Sequence, residues 1–254
     1  GVDGHYISAS SNWATDLQLI YSDIEGLHGY GGLGDLSYIP RKGVTHKLTF
    51  DYLDDQLDIN DFGFLRRNDV LGMKYAYTNN RTDLQRLRRW DRSLSLAQKY
   101  NRDGQAIRSE IFWRNTLMFQ NSMLLKTELD YFPRIWDDRN SAGNGDFRIE
   151  DRWFFETAVG TDTTRILSIS LAVAGLQEDL GDLTKQIKGG FTLKPNDRLS
   201  LDLDVTYQRR DGWLLHQSGR NFATFSSINW LPNLSLEYFV SARQQLRLTM
   251  QWAG

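Results

Sequence analysis

Along most of this chain, apolar residues hold one parity and polar residues the other. In the clearest run Leu199, Leu201, Leu203, Val205 and Tyr207 alternate with Ser200, Asp202, Asp204 and Thr206. Successive side chains of a strand point to opposite faces, so this period makes one face apolar and the other wet. The pattern recurs. Val44, His46, Leu48, Phe50 and Tyr52 oppose Thr45, Lys47, Thr49 and Asp51, and Leu125, Leu129 and Tyr131 oppose Lys126, Glu128 and Asp130. Ile107, Ile111, Trp113 and Leu117 oppose Arg108, Glu110, Arg114 and Thr116, and Leu167, Ile169, Leu171 and Val173 oppose small residues. Alternation and turn residues together predict about fourteen strands. They lie near 5–13, 17–22, 33–39, 44–53, 70–79, 83–100, 104–119, 122–135, 149–160, 164–176, 182–194, 198–210, 221–230 and 234–252.

A soluble sheet alternates in this way once or twice. A chain that does so about a dozen times predicts an all-β, antiparallel transmembrane barrel. Connection lengths add a second signal. Tight turns are expected at Ala14-Thr15, Pro40–Gly43, Asn79–Thr82, Gln120–Ser122, Thr161–Thr164, Pro195–Asp197 and Leu231–Asn233, with longer segments at 23–32, 54–69, 136–148 and 211–220. Short turns at one rim and long loops at the other are the habit of outer-membrane barrels. This assignment puts both chain ends at the long-loop rim and stops the chain inside a good strand near Trp252. At least one strand is therefore expected beyond each end, giving sixteen or more in the complete protein. One barrel domain over 1–254 is expected.

Composition changes this picture little. The 254 residues include 4 proline, no cysteine, and 8 Trp, 11 Tyr and 13 Phe. Few prolines suit long ladders, and the missing cysteine removes disulfides and thiolate metal sites. Mean hydropathy is −0.51, which a barrel tolerates because half of each strand faces water. No apolar run approaches the ~18 residues of a spanning helix. The formal net charge of −2 gives no nucleic-acid footprint. No cofactor is implied.

The alternation nominates two residue sets. The polar parity carries Lys47, Asp51, Lys74, Arg108, Glu110, Arg114, Lys126, Glu128, Asp130, Arg152, Glu156, Lys188, Asp202 and Asp204, expected to face a lumen. Both signs are present, so the wall either selects solutes or seals itself by ion pairing. Trp13, Tyr52, Tyr77, Tyr100, Tyr131, Trp153, Tyr207, Trp230 and Tyr238 lie near strand ends, where amphipathic rings meet lipid headgroups.

Segment 54–69 is the plug candidate. Its acids, among them Asp58 and Asp61, are expected to pair with Arg66 and Arg67. Asp58, Asn60 and Gly63 echo the opening of a calcium loop, but Phe62 stands where an oxygen ligand belongs and Asp69 replaces the closing Glu. A second acidic loop carries Asp137, Asp138, Asn140, Asn144 and Asp146. His216 and Ser218, with Asn229 or Asn221 as orienter, are the sole candidates for lipid hydrolysis. Arg86, Arg88, Arg89 and Arg92 could grip lipopolysaccharide phosphates or pair with Asp83 and Asp91.

The stretch from Asp58 to Asp69 (DINDFGFLRRND) and the closing run from Ser241 to Trp252 (SARQQLRLTMQW) resemble signatures of a poorly characterised bacterial outer-membrane family. Its members join an N-terminal sandwich, similar to a carbohydrate-binding module, to a C-terminal outer-membrane barrel. The resemblance implies location in the outer membrane of a Gram-negative bacterium and a possible glycan partner. It transfers no catalytic residue. The expected function is a non-enzymatic channel or translocation component in contact with outer-membrane lipid and lipopolysaccharide. A non-conducting anchor for a protein partner and a barrel lipid hydrolase are the alternatives.

Overall fold

The computed structural model describes residues 1–60, 65, 67–82 and 84–252. Sixteen strands are described: β1 (Val2–Ile7), β2 (Trp13–Ile24), β3 (Leu27–Arg41), β4 (Val44–Leu53), β5 (Val70–Arg81), β6 (Leu87–Tyr100), β7 (Ala106–Phe119), β8 (Leu124–Phe132), β9 (Ile135–Asp137), β10 (Phe147–Ile149), β11 (Arg152–Gly160), β12 (Leu167–Gln177), β13 (Leu183–Asn196), β14 (Leu199–Ser218), β15 (Asn221–Ser241) and β16 (Gln244–Gln251). Fourteen form one sheet in chain order, β1 to β8 and then β11 to β16, while β9 and β10 make a separate pair. The order is linear, with β1 and β16 at its two ends. The chain is all-β and antiparallel. No helix among the described residues is long and apolar enough to cross a membrane.

The chain divides into two compact units. The first comprises Gly1–Asn80, Arg92–Trp113 and Tyr131–Asp151, and the second Arg81–Asp91, Arg114–Asp130 and Arg152–Gly254. In both, burial is inverted relative to a water-soluble sheet. Among the described residues the buried apolar side chains are Val44, Leu57, Val70 and Ile149, fewer than the buried polar ones. The apolar parity is instead open. Leu167, Ile169, Leu171 and Val173 of β12 are 41–54% exposed, while Ser168 on the other face is 6% exposed.

Several strand boundaries differ from the sequence expectation, each for a local reason. The segment 23–32 is a hairpin turning at Glu25 and Gly26, both at positive φ (53° and 82°), as a primed two-residue turn requires. Four glycines in β3 had hidden its period. The expected turn at Ala14-Thr15 is inside β2, and the chain turns at 8–12 instead. The expected loop 211–220 is strand up to Ser218. Asp211-Gly212 reads as a turn, but it makes a bulge that shifts the register between Arg210 and Trp213, with Gly212 at φ 75°. The expected turn Leu231–Asn233 is also strand. Pro232 opposes Val205, and its carbonyl accepts the Trp252 amide at 3.4 Å. Its missing N–H therefore points where the β16 ladder ends, one of the few places a strand admits proline.

The loop after β4 folds back onto the polar face. Leu57, 1% exposed, lies over β3, and the Asp58 amide donates to Ser22 Oγ at 3.1 Å. Gly29 makes room: a Cβ there would stand 2.3 Å from the Leu57 Cα. Gly29→Ala is expected to dislodge this loop at a cost of ~1–3 kcal/mol from overpacking. The check is hydrogen exchange at the Asp58 amide, which should accelerate strongly. Gly32→Ala, whose Cβ would meet only Leu19 Cδ2 at 3.7 Å, should leave it unchanged.

Candidate functional site

The polar face of the first unit is wired across neighbouring strands. Asp35, Thr49 and Lys74 fall in one cross-strand row. Thr49 Oγ1 donates to Asp35 at 2.5 Å, and Lys47 Nζ lies 3.1 Å from the same carboxylate. Asp51 is paired with Lys99. Arg108 holds Glu110 along β7 through two hydrogen bonds of 2.6 and 2.9 Å. In the second unit Arg114 pairs with Glu128 at 2.6 Å, Arg152 with Asp179 at 2.5 Å, and Lys188 with Asp204 at 3.4 Å. Asp202 accepts from Thr192 at 2.5 Å and from Ser200 at 3.2 Å. Asp130 is buried. Most of these groups keep partial contact with water, so each pair contributes at most ~1 kcal/mol. Their effect is to neutralise the face rather than to hold the fold.

Three of these pairs join residues nominated from sequence: Arg108–Glu110, Arg114–Glu128 and Lys188–Asp204. The others recruit Asp35, Lys99 and Asp179, which alternation alone did not single out. Also missed was the Glu178 site. That carboxylate is 4% exposed, accepts from Thr184 at 2.5 Å, and faces Arg210 at 3.4 Å. Arg210 stacks on Trp213, 4.1 Å from the ring centroid. The Asp-Gly step at 211–212 concealed this arrangement by resembling a turn. Lys126 and Glu156 line a groove of about 620 Å³ on the polar face of the second unit.

On the exposed apolar face, aromatic rings form rows across the strands. In the first unit Trp13 stacks on Tyr38 at 4.3 Å, Tyr38 neighbours His46 at 6.1 Å, and His46 neighbours Tyr77 at 5.2 Å. His46 Nδ1 is 2.8 Å from the Tyr75 hydroxyl, and Asn79 donates to the Tyr77 hydroxyl at 2.9 Å. Tyr21 and Tyr30, 5.4 Å apart, begin a second row, with Tyr52 nearby in β4. Both β2 (Trp13 to Tyr21) and β3 (Tyr38 to Tyr30) take eight residues from row to row. In the second unit Tyr207 and Trp230 pair at 4.8 Å. Trp230 and Tyr238 are again eight residues apart on β15. Eight residues of strand span about 27 Å, which a tilt of about 40° reduces to about 20 Å of height. Tyr100, Tyr131 and Trp153 also stand at strand ends; Tyr131 donates to Asp151 at 2.8 Å. Tyr21, Tyr30, Tyr38 and Tyr75 belong to the set that sequence reasoning missed.

At one end of the first unit three connections knit together. Arg67 grips Asp138 with two hydrogen bonds of 2.9 and 2.5 Å, and Arg139 donates to Asn68 at 3.3 Å. Arg102 reaches Asp55 at 2.8 Å while its amide donates to Asp69 at 2.8 Å. Gln105 donates to Asp146 at 2.9 Å. Arg67 thus binds the second acidic loop, not the acids of its own segment. Asp58 serves an Asx turn, accepting from the Asn60 amide and side chain at 3.0 and 2.8 Å. Asp61 and Arg66, and with them Phe62 and Gly63 of the calcium-like pattern, lie outside the described residues. Among the described residues no group of three or more His, Asp or Glu side chains could hold a metal ion.

The remaining candidates are spread out. His216 Nε2 is hydrogen bonded to the Gly219 carbonyl at 2.9 Å, and no hydrogen bond among the described residues joins it to Ser218. Asn229 donates instead toward Gln208 and Ser227. Arg88 donates to Ser122 at 2.7 Å and Arg89 to Asp91 at 2.8 Å. Asp83 lies outside the described residues.

Residues 8–252 match a protein family described as Domain of unknown function (DUF5916). No curated protein matches the chain.

The Arg67–Asp138 clamp makes the loop layer acid-labile. Burial raises the Asp138 carboxyl pKa, but the hydrogen bonds and charge of Arg67 outweigh it and hold the value below the ordinary carboxylate range. A lowered folded-state pKa stabilises above the unfolded value near 4, and that stabilisation is lost as pH falls through the folded value. Pepsin nicking of segment 133–151 should therefore rise as pH drops below about 4. Asp138→Asn should flatten this dependence and leave the loop readily cleaved at each pH.

Proposed function

The chain belongs to the DUF5916 family, and from that premise we propose that it forms the wall of an outer-membrane β-barrel acting as a channel or translocation component. The observation that carries the proposal is the inverted burial: leucine, isoleucine and aromatic side chains are open on one face while charges and small polar groups share the other. In water such an exposed surface is far larger than monomers tolerate. In lipid it is the expected outer surface, with rings at headgroup level and an apolar band about 25 Å tall. The eight-residue interval between aromatic rows supports the same geometry. Closure into a barrel and an outer-membrane location are parts of this proposal, as is contact with lipid and lipopolysaccharide.

The loop layer gives the proposed channel a closed state. Residues 54–60 rest on the polar face at Ser22 and Gly29, held from outside by Arg67–Asp138 and Arg102–Asp55. A glycan-binding sandwich, implied by the family resemblance, is a candidate partner for that layer. The same inward packing favours the second reading, a non-conducting anchor.

Two measurements test these readings. Leu203→Arg, on the apolar face, should cost ~2–4 kcal/mol near the midplane of a bilayer. Asp204→Asn, on the wet face, should cost no more than ~1 kcal/mol. Urea titration of protein folded into phosphatidylcholine vesicles reads both, and equal tolerance would overturn the assignment of faces. In planar bilayers the native protein should show rare openings, and Arg67→Met should raise open probability. Steady current that is identical in both would remove the gate. Silence in both after verified insertion would leave the anchor.

A further inference from the structure

The polar face of the second unit holds a groove whose shape and charge fit a specific solute class. Its floor is β12, where Ser168, Ser170, Ala172 and Ala174 present no long side chain. Gly190 extends the floor: a Cβ there would fall 2.0 Å from Asp204 Oδ1. The walls carry both signs. On one side the Lys188–Asp204 pair, 3.4 Å apart, stands next to Asp202. On the other are Lys126 and Glu156. Register places Glu156 opposite Ala174, and Ala174 opposite Gln186. Glu156 is thus separated from the β13 wall by one small-residue strand, a gap of about 10 Å at ordinary strand spacing.

Lys126 and Glu156 differ from the other charges of this face in having no ion pair among the described residues. Elsewhere acids and bases are matched across or along strands, which spends their hydrogen-bonding capacity internally. Here one cation and one anion border an open volume of about 620 Å³, the size of a pocket for a small organic molecule. A ligand with an ammonium at one end and a carboxylate at the other satisfies both at once, with charge-assisted hydrogen bonds stronger than neutral ones. A sugar is the poorer fit. Phe191 is the one aromatic residue on the lining, and its ring belongs to the exposed apolar parity, so no stacking platform faces the groove.

We infer that this groove is a binding station for small zwitterions of dipeptide size, held between Lys126 and Glu156. The inference rests on the reading of this face as a wet lumen, and it assigns the solute class that the proposed channel would carry.

The test is ligand-observed saturation-transfer NMR on the whole chain folded in detergent micelles, with glycylglycine as probe. Saturation transfer is expected for glycylglycine and not for N-acetylglycinamide or maltose. Replacing Lys126→Gln and Glu156→Gln together should weaken glycylglycine binding about tenfold, the effect of losing a charge-assisted contact. Both changes preserve length and polarity on a solvated face, and an unchanged β-rich circular dichroism spectrum would verify folding. Lys47→Gln, on the first unit, should leave binding unchanged. Absent transfer from glycylglycine, transfer that survives the double change, or equal binding of maltose would each overturn the inference. Conductance is read separately. Binding without current keeps the station and removes the transport reading, whereas current without binding does the opposite.

Discussion

The period of two along each strand is the constraint on which the rest of this structure depends. A slip of one residue would send every leucine to the wet face and every aspartate to the apolar one. The register shifts lie where they do least harm. They fall between Tyr38 and Arg41, Leu193 and Asn196, Arg210 and Trp213, His216 and Ser218, and Phe239 and Ser241. Tyr38, Tyr207 and Tyr238 are themselves members of the aromatic rows, and Asn196 opposes Leu199, which opposes Tyr238. Each irregularity thus lies at or beyond a row, never between two. Within the described ladders the interval between rows keeps one parity throughout, and that continuity makes the apolar face a single surface.

Charge on the polar face follows from the same register. Because cross-strand neighbours are about 5 Å apart, an acid and a base in adjacent rows meet without distorting the backbone, as Lys47 does with Asp35 and Lys188 with Asp204. These contacts are too exposed to dominate stability. The ladder hydrogen bonds do that, and in a lipid setting they must, since unsatisfied backbone groups cost several kcal/mol there. Side-chain pairing is then free to be tuned for the solute side, which is why an unpaired Lys126 beside an unpaired Glu156 carries information.

The fold was legible in the sequence wherever alternation was unbroken. Strand β4 over 44–53 was located to the residue, and the polar parity named both partners of Arg114–Glu128. Glycine and proline defeated the reading elsewhere. Asp211-Gly212 and Pro232 carry turn chemistry that local pairing converts to strand, and a period-two argument has no means of weighing that tertiary pairing. Loop contacts were less legible still. Nothing in the one-dimensional pattern links Arg67 to Asp138, 71 residues away. Segment 54–69 was marked as a folded-in loop by its acids, while the residue that seats it is apolar Leu57.

That seat depends on the glycines of β3, which serve two faces at once. On the polar parity Gly29 and Gly31 lie under Leu57: a Cβ at Gly29 would strike its backbone at 2.3 Å, and one at Gly31 would meet its Cδ2 at 3.0 Å. On the apolar parity Gly32 and Gly34 lie beside Leu19 and Leu17, with Cβ positions 3.7 and 3.1 Å from their methyl groups. The odd glycines therefore admit a loop, and the even ones let long side chains on β2 spread over the strand. Glycine weakens a strand through its conformational freedom, so β3 is stable only because neighbours on both sides pair it along most of its length. The cap and the apolar face are consequently built on one strand. A change that filled the odd positions would evict the loop and leave the exposed face as it stands.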